Sequence, residues 1–188
     1  MPYLRARKND VHVPLSYCFA ERLLEEDAAA NRDTVLLAVL LHDIGWAVVD
    51  EVAIFRDGFG PGMMESDVRI AHEREGARLA REILARCGYS EPTVEAVVAI
   101  IDGHDTRPHS ISHDDEVVKD ADKLWRFTVT GVGIACDWWK LTPAAYADHL
   151  ERDVLGELFT AKALEIARAE LSEARRRLRL DVLAEVPG

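Results

Sequence analysis

Seven consecutive apolar residues, Val35 to Leu41, run without a spacer into His42-Asp43 and then Ile44-Gly45. A helix that is apolar on all sides has no solvent face, so it belongs in the middle of a domain with other helices around it. The polar pair at its end is thereby delivered from the core outwards on a rigid support. An imidazole and a carboxylate buried without partners would be costly to desolvate, and as nitrogen and oxygen donors they suit a divalent metal. Neighbouring residues can serve one ion only where a helix ends or turns, and Gly45 marks that end.

Apolar spacing is helical nearly everywhere else, with no sustained alternation of the kind that marks half-buried strands, so the chain is predicted to be all-α. The pattern predicts helices over about 14–30, 33–44 and 67–87, the last closed by Gly88, and a further one capped by Ser90 that ends near Gly103-His104. A long helix carries Val117, Ala121, Leu124 and Trp125 and reaches towards Trp139, weakened at Gly131 and Gly133. Thr142-Pro143 opens another, and the last, about 161–180, repeats Leu164, Ala167, Leu171, Ala174 and Leu178. That stripe suits either the domain core or a second copy in a homodimer. Residues 46–66, with Gly58, Gly60, Pro61 and Gly62, break the period and read as a long loop of the kind that often forms a lid.

At 188 residues, 48% hydrophobic and 30% charged, the chain is expected to form one domain, with a core over 10–130 and C-terminal helices over 143–183 packed on it. A formal charge of -11 argues against a nucleic-acid polymer as partner, which needs clustered cations on one face. The one basic run, Arg175 to Arg179, reads as a solvated helix face. Cys18, Cys87 and Cys136 have no metal or disulfide spacing and read as small buried hydrophobes. With no leader-like segment and no apolar stretch near the roughly 20 residues that cross a bilayer, a cytoplasmic protein without membrane partners is expected.

His12, His42-Asp43 and Asp122, with His72 and His104 between the last two, set six nitrogen and oxygen donors on separate helices. Together with "LAVLLHDIG", "AHEREGARLAREIL", "VVAIIDGHD" and "KDADKLWRF", they resemble the HD superfamily of metal-dependent phosphohydrolases over about residues 10 to 130. The resemblance implies a bundle of about six to eight helices with the metal site in a central cleft. It assigns His12, His42, Asp43 and Asp122 as ligands of one divalent ion (Mn, Fe, Co, Ni or Mg), Asp122 being the second aspartate of "DADK". Two-metal members add two histidines where His72 and His104 stand, with Asp43 able to bridge, so one ion is expected and a second permitted.

Metal-bound water has its pKa lowered to about 7 from about 15.7, and the ion also neutralises phosphoryl charge. The leading expectation is hydrolysis of a nucleotide or related small phosphorylated metabolite, with metal-bound hydroxide as nucleophile. Asp43, Asp105 and Lys123 are the catalytic candidates, Asp105 as general base or support for the ligands and Lys123 as a cation aimed at the phosphate. Arg69, Arg107, Lys123 and Arg126 are candidates for substrate contact, since guanidinium matches phosphate oxygens. His109 and His113 sit in a polar loop and read as bystanders, and Trp125, Trp138 and Trp139 as core rather than base-stacking residues. Two other readings follow from the resemblance: a di-iron oxygenase cleaving a phosphonate or polyol, and a metal-holding module without turnover. The 18 positions from His104 to Asp122 look nearer the hydrolase pattern, and no appended domain is seen for a module to control.

Overall fold

The computed structural model describes residues 8–57 and 66–180 and is helical, with no strand among them. Among the described residues nine α-helices follow one another: α1 Asn9–Leu24, α2 Arg32–Leu41, α3 Glu51–Asp57, α4 Asp67–Arg86, α5 Glu91–Ile101, α6 His113–Leu124, α7 Val129–Trp138, α8 Pro143–His149 and α9 Ala161–Leu178. The expected six to eight become nine for two reasons. The segment read as a loop folds as a 3₁₀ turn, Ile44–Val48, followed by α3, because Trp46 and Ile54 bury against Val68 of α4. Its glycine-rich stretch, and with it the lid reading, lies outside the described residues.

The other added helix comes from a break in the long one. A 3₁₀ turn, Trp125–Phe127, separates α6 from α7, and Thr128 restarts the helix by accepting from Gly131 N at 2.9 Å. The break thus precedes the glycines. Capping chemistry starts most of the others: Asn31, Ser90, Ser112, Thr142 and Thr160 each accept a backbone N–H three residues on.

α2 is central, packing on α1, α5 and α6, while α1 packs on α6 and α4 on α5. Val35, Ala38, Val39 and Leu41 are buried, but Leu40 is 47% exposed, so the run is not enclosed on every side. α1 begins at Asn9 rather than Pro14 and ends at Leu24, which places His12 inside the helix; Pro14 sits in its second turn. Cys18 and Cys87 are exposed and only Cys136 is buried, correcting the expectation for two of the three. α9 lays Ala163, Ile166, Ala167, Leu171 and Ala174 into the protein's own core, so Ala167, Leu171 and Ala174 of its stripe serve the domain core. The basic run at its end is tied down by Asp148, Glu151 and Glu173. No helix among the described residues is long and apolar enough to cross a membrane.

One close approach positions the site. A Cβ at Gly45 would collide with the His72 carbonyl oxygen and lie 2.6 Å from Gly76 N. Only glycine lets the turn after α2 press onto α4, and that contact brings His72 face to face with the end of α2.

Candidate metal centre

α2 stops at Leu41, and the chain turns through His42 (φ -55°, ψ -38°) and Asp43 (φ -100°, ψ 6°) into the 3₁₀ turn. The turn aims both side chains into the same space. His42 Nδ1 donates to the Val39 carbonyl at 2.7 Å and His104 Nδ1 to that of Ile101 at 2.9 Å. Each bond leaves the proton on Nδ1 and turns the bare Nε2 inwards, the arrangement that readies an imidazole for a metal. His104 follows Gly103, whose φ of +97° suits glycine alone among common residues and bends the chain from α5 back into the site.

His12 Nε2 and His42 Nε2 lie 2.9 Å apart, and Asp122 Oδ1 is 3.1 Å from the first and 3.5 Å from the second. Asp43 Oδ2 is 3.4 Å and 3.7 Å from the same two nitrogens. Its other oxygen faces a second histidine pair: Oδ1 is 3.6 Å from both His72 Nε2 and His104 Nε2. Those two are 3.4 Å from each other, and Asp105 Oδ2 stands 3.5 Å and 3.7 Å from them. The donors form two cages that share Asp43. A cation about 2.1 Å from its ligands holds them roughly 3.4 Å apart in a tetrahedron and roughly 3.0 Å apart at octahedral corners. Both cages match that spacing, so the donor set fits divalent cations.

Electrostatics agree. Burial works against ionisation of Asp43 and Asp122, yet the surrounding histidines hold both carboxyls well below the usual range. Burial likewise opposes Asp105, where Arg69, with Nη2 2.6 Å from Oδ1, wins and pushes it down. Three carboxylates thus converge, with one guanidinium paired to Asp105. Burial lowers His42, but Asp43 and Asp122 outweigh it and raise the imidazole to about 10: in the absence of a metal the cluster recruits a proton as its cation. His72 goes the other way, to about 3, through burial and the neighbouring His104. It stacks on Trp46 at 4.0 Å.

The centre opens on a small void of ≈ 30 Å³ bordered by Arg69, Trp125, Arg126 and Trp138, and beyond it on a cleft of ≈ 450 Å³. Asp105, Asp122 and Arg126 line both. Arg69 is 3% exposed, and its Nε and Nη1 have no hydrogen-bond partner among the described residues. Arg126 has no hydrogen bond or ion pair among them either. Lys123 reaches the cleft beside Glu157, 3.7 Å away. Arg107 also borders the cleft, but its Nη2 donates to the Ala99 and Ile100 carbonyls at 3.1 and 3.2 Å. It closes the end of α5, which leaves less of it for a substrate. Trp125 and Trp138 touch the void rather than lying wholly in the core. His109 is exposed and His113 pairs with Asp27 and Glu116 away from the centre.

Several supporting residues escape a reading of the sequence. Trp46 Nε1 donates to Asp43 Oδ1 at 3.0 Å, Ser16 Oγ meets His12 Nδ1 at 3.3 Å, and Asn9 Nδ2 donates to the Asp43 carbonyl at 3.4 Å. Glu73 accepts from Asp105 N, Thr106 N and Thr106 Oγ1 at 2.6–2.8 Å. Buried Lys119 donates to the carbonyls of Gly103, His104 and Arg107. The two aspartates of "DADK" divide their work: Asp122 joins the cluster, while Asp120 accepts from Phe159 N, Thr160 N and Thr160 Oγ1. For Glu73, Lys119 and Asp120 the usable signal is a charged side chain on a helix that buries it; Trp46, Ser16 and Asn9 carry none.

A helical bundle built round histidine–aspartate cages suited to divalent cations is the class defined by this fold and site. The family model of the HD domain matches residues 11–126, and the chain belongs to that family. The match spans every donor of both cages and stops at Arg126. Neither a curated protein nor a solved structure matches the chain significantly.

Proposed function

We propose that the protein is a metal-dependent phosphohydrolase for a nucleotide or related small phosphorylated metabolite, and that its centre takes two divalent cations. The observation that carries this reading is the adjacency of two donor cages to Arg126, which has no hydrogen bond among the described residues, at the neck of a cleft large enough for a small metabolite. His12, His42, Asp122 and Asp43 Oδ2 would hold one ion, and His72, His104, Asp105 and Asp43 Oδ1 the other. When bound, such ions acidify water to near neutrality and neutralise phosphoryl oxygens.

The chain's own residues do the rest. Arg126 binds the non-bridging oxygens of the reacting phosphoryl group by fork-like hydrogen bonds. Arg69 also keeps Asp105 ionised and oriented, which makes that carboxylate a weak base and a good ligand. Lys123 stands on the cleft side, placed to steady negative charge on the departing group. Trp125 and Trp138 narrow the void and limit bulk water.

Metal content and phosphate release from a nucleotide panel test the reading. Loaded protein should carry close to two ions and release phosphate or pyrophosphate. Arg126→Gln should raise KM about tenfold or more with an unchanged melting temperature, as loss of a charge-assisted contact of ~1.5–3 kcal/mol requires. A chain that stays at full metal content after His42→Ala with Asp43→Ala would overturn the site. Oxygen consumption by the iron-loaded form, without phosphate release, would favour an oxygenase instead.

A further inference from the structure

The far wall of the cleft is Gly156 to Phe159, a segment beyond the residues that the HD family model covers. A family-wide metal centre therefore faces a wall that belongs to the remainder of this chain. Phe159 is 40% exposed, unusual for a ring of that size, yet its backbone is anchored. Its N–H donates to Asp120 Oδ1 at 2.8 Å, and Thr160 donates N–H and Oγ1–H to Asp120 Oδ2 at 2.9 and 2.7 Å. Asp120 is fully buried and lies on α6 two residues before Asp122. One helix thus carries both a donor of the metal centre and the clamp that holds the opposite wall at a set distance from it.

Asp122 and Arg126 of the metal end share the cleft with Lys123, which lies over the Phe159 ring at 5.8 Å and beside Glu157. A volume of ≈ 450 Å³ far exceeds what one phosphoryl group fills, and an exposed ring fixed at its backbone offers area without an entropy cost of ordering. We infer that Phe159 is a specificity-determining residue that stacks on a planar ring in the leaving group, so that the preferred substrates are phosphate esters of ring-bearing alcohols such as nucleosides, and that Asp120 is the positioning residue holding it there. The inference rests on the phosphohydrolase reading for placing the phosphate at the metal end. Stacking on an aromatic side chain tolerates many rings, because each has a π face, so it selects for planarity more than for one base.

The test is calorimetric binding of two non-hydrolysable probes, a 5′-phosphonate of adenosine and the matching phosphonate of ribose, to the metal-loaded full chain. The native protein should bind the adenosine probe about fivefold or more tighter. Phe159→Ala should bring that ratio close to one, and Phe159→Trp should keep it. Asp120→Asn, which cannot accept all three hydrogen bonds, should lower the ratio while leaving affinity for the ribose probe within about twofold; its melting curve checks folding. Equal affinity for the two probes in the native protein, no binding of either, or an unchanged ratio in Phe159→Ala overturns the proposal. Tight, ring-dependent binding with no turnover of any nucleotide would leave the stacking role of Phe159 standing and sink the hydrolase reading, and the substrate assignment with it, whereas turnover indifferent to the ring would do the reverse.

Discussion

Replacing Gly45 by alanine places one methyl group where the turn after α2 meets α4. The added Cβ overlaps the His72 carbonyl oxygen and lies 2.6 Å from Gly76 N and 2.9 Å from the His72 carbonyl carbon. All three are backbone atoms, so no side chain can swing aside; restoring van der Waals distance requires the turn and α4 to part by about 1 Å. Overpacking of this kind costs ~1–3 kcal/mol, which for a chain of this length lowers the melting temperature by about 2–4 °C per kcal/mol. The functional loss should be larger than the loss of stability. His72 moves with α4, whereas His104 and Asp105 arrive on the turn after α5, and ligand distances must hold within about 0.2 Å. Elemental analysis of Gly45→Ala should therefore find the cage of His72, His104 and Asp105 emptied while that of His12, His42 and Asp122 stays filled. Full loading with a melting temperature within about 1 °C of native would refute the argument.

In chelated protein, His42 is raised from 6.5 to about 10. Its stabilising contribution is thus complete below pH 6.5 and disappears as pH rises through about 10, a loss of at most ~5 kcal/mol at 1.36 kcal/mol per unit. Cation binding requires the bare nitrogen and must gain as that proton leaves, up to tenfold per pH unit; calorimetry between pH 6.5 and 9 should show the chelated form losing stability as pH rises while the loaded form stays level, because the gain in binding offsets that loss, and parallel slopes would count against the proton competing with the metal. Lys119→Met removes the donor for three carbonyls beside His104 and should cost ~2–4 kcal/mol, read by denaturant unfolding; a midpoint equal to native would show that water satisfies them.

The all-helical fold was legible because its causes are local. Period 3.6 apolar spacing, the caps at Ser90 and Thr142, and the stop at Gly88 each act within a few residues, and all survive in the structure. The break at Thr128 and the helix within 51–57 were hidden, since they arise from burial of Trp125 and Phe127 in the core and of Trp46 and Ile54 against Val68. The site divides the same way. Donors such as His42-Asp43 declare themselves by chemistry: a polar pair ending an apolar helix has few uses. Which of Asp120 and Asp122 faces the cluster, that Asp43 offers one oxygen to each histidine pair, that Asp105 is locked to Arg69, and that Phe159 closes the cleft are all facts of juxtaposition between residues on different elements. Sequence alone determined the helical class, most of its helices and the candidate donors, because propensity, periodicity and capping are short-range. Tertiary structure decided how the donors divide into two cages and what faces them, because those distances are set by the packing of α2, α4, α5 and α6 and no local rule contains them.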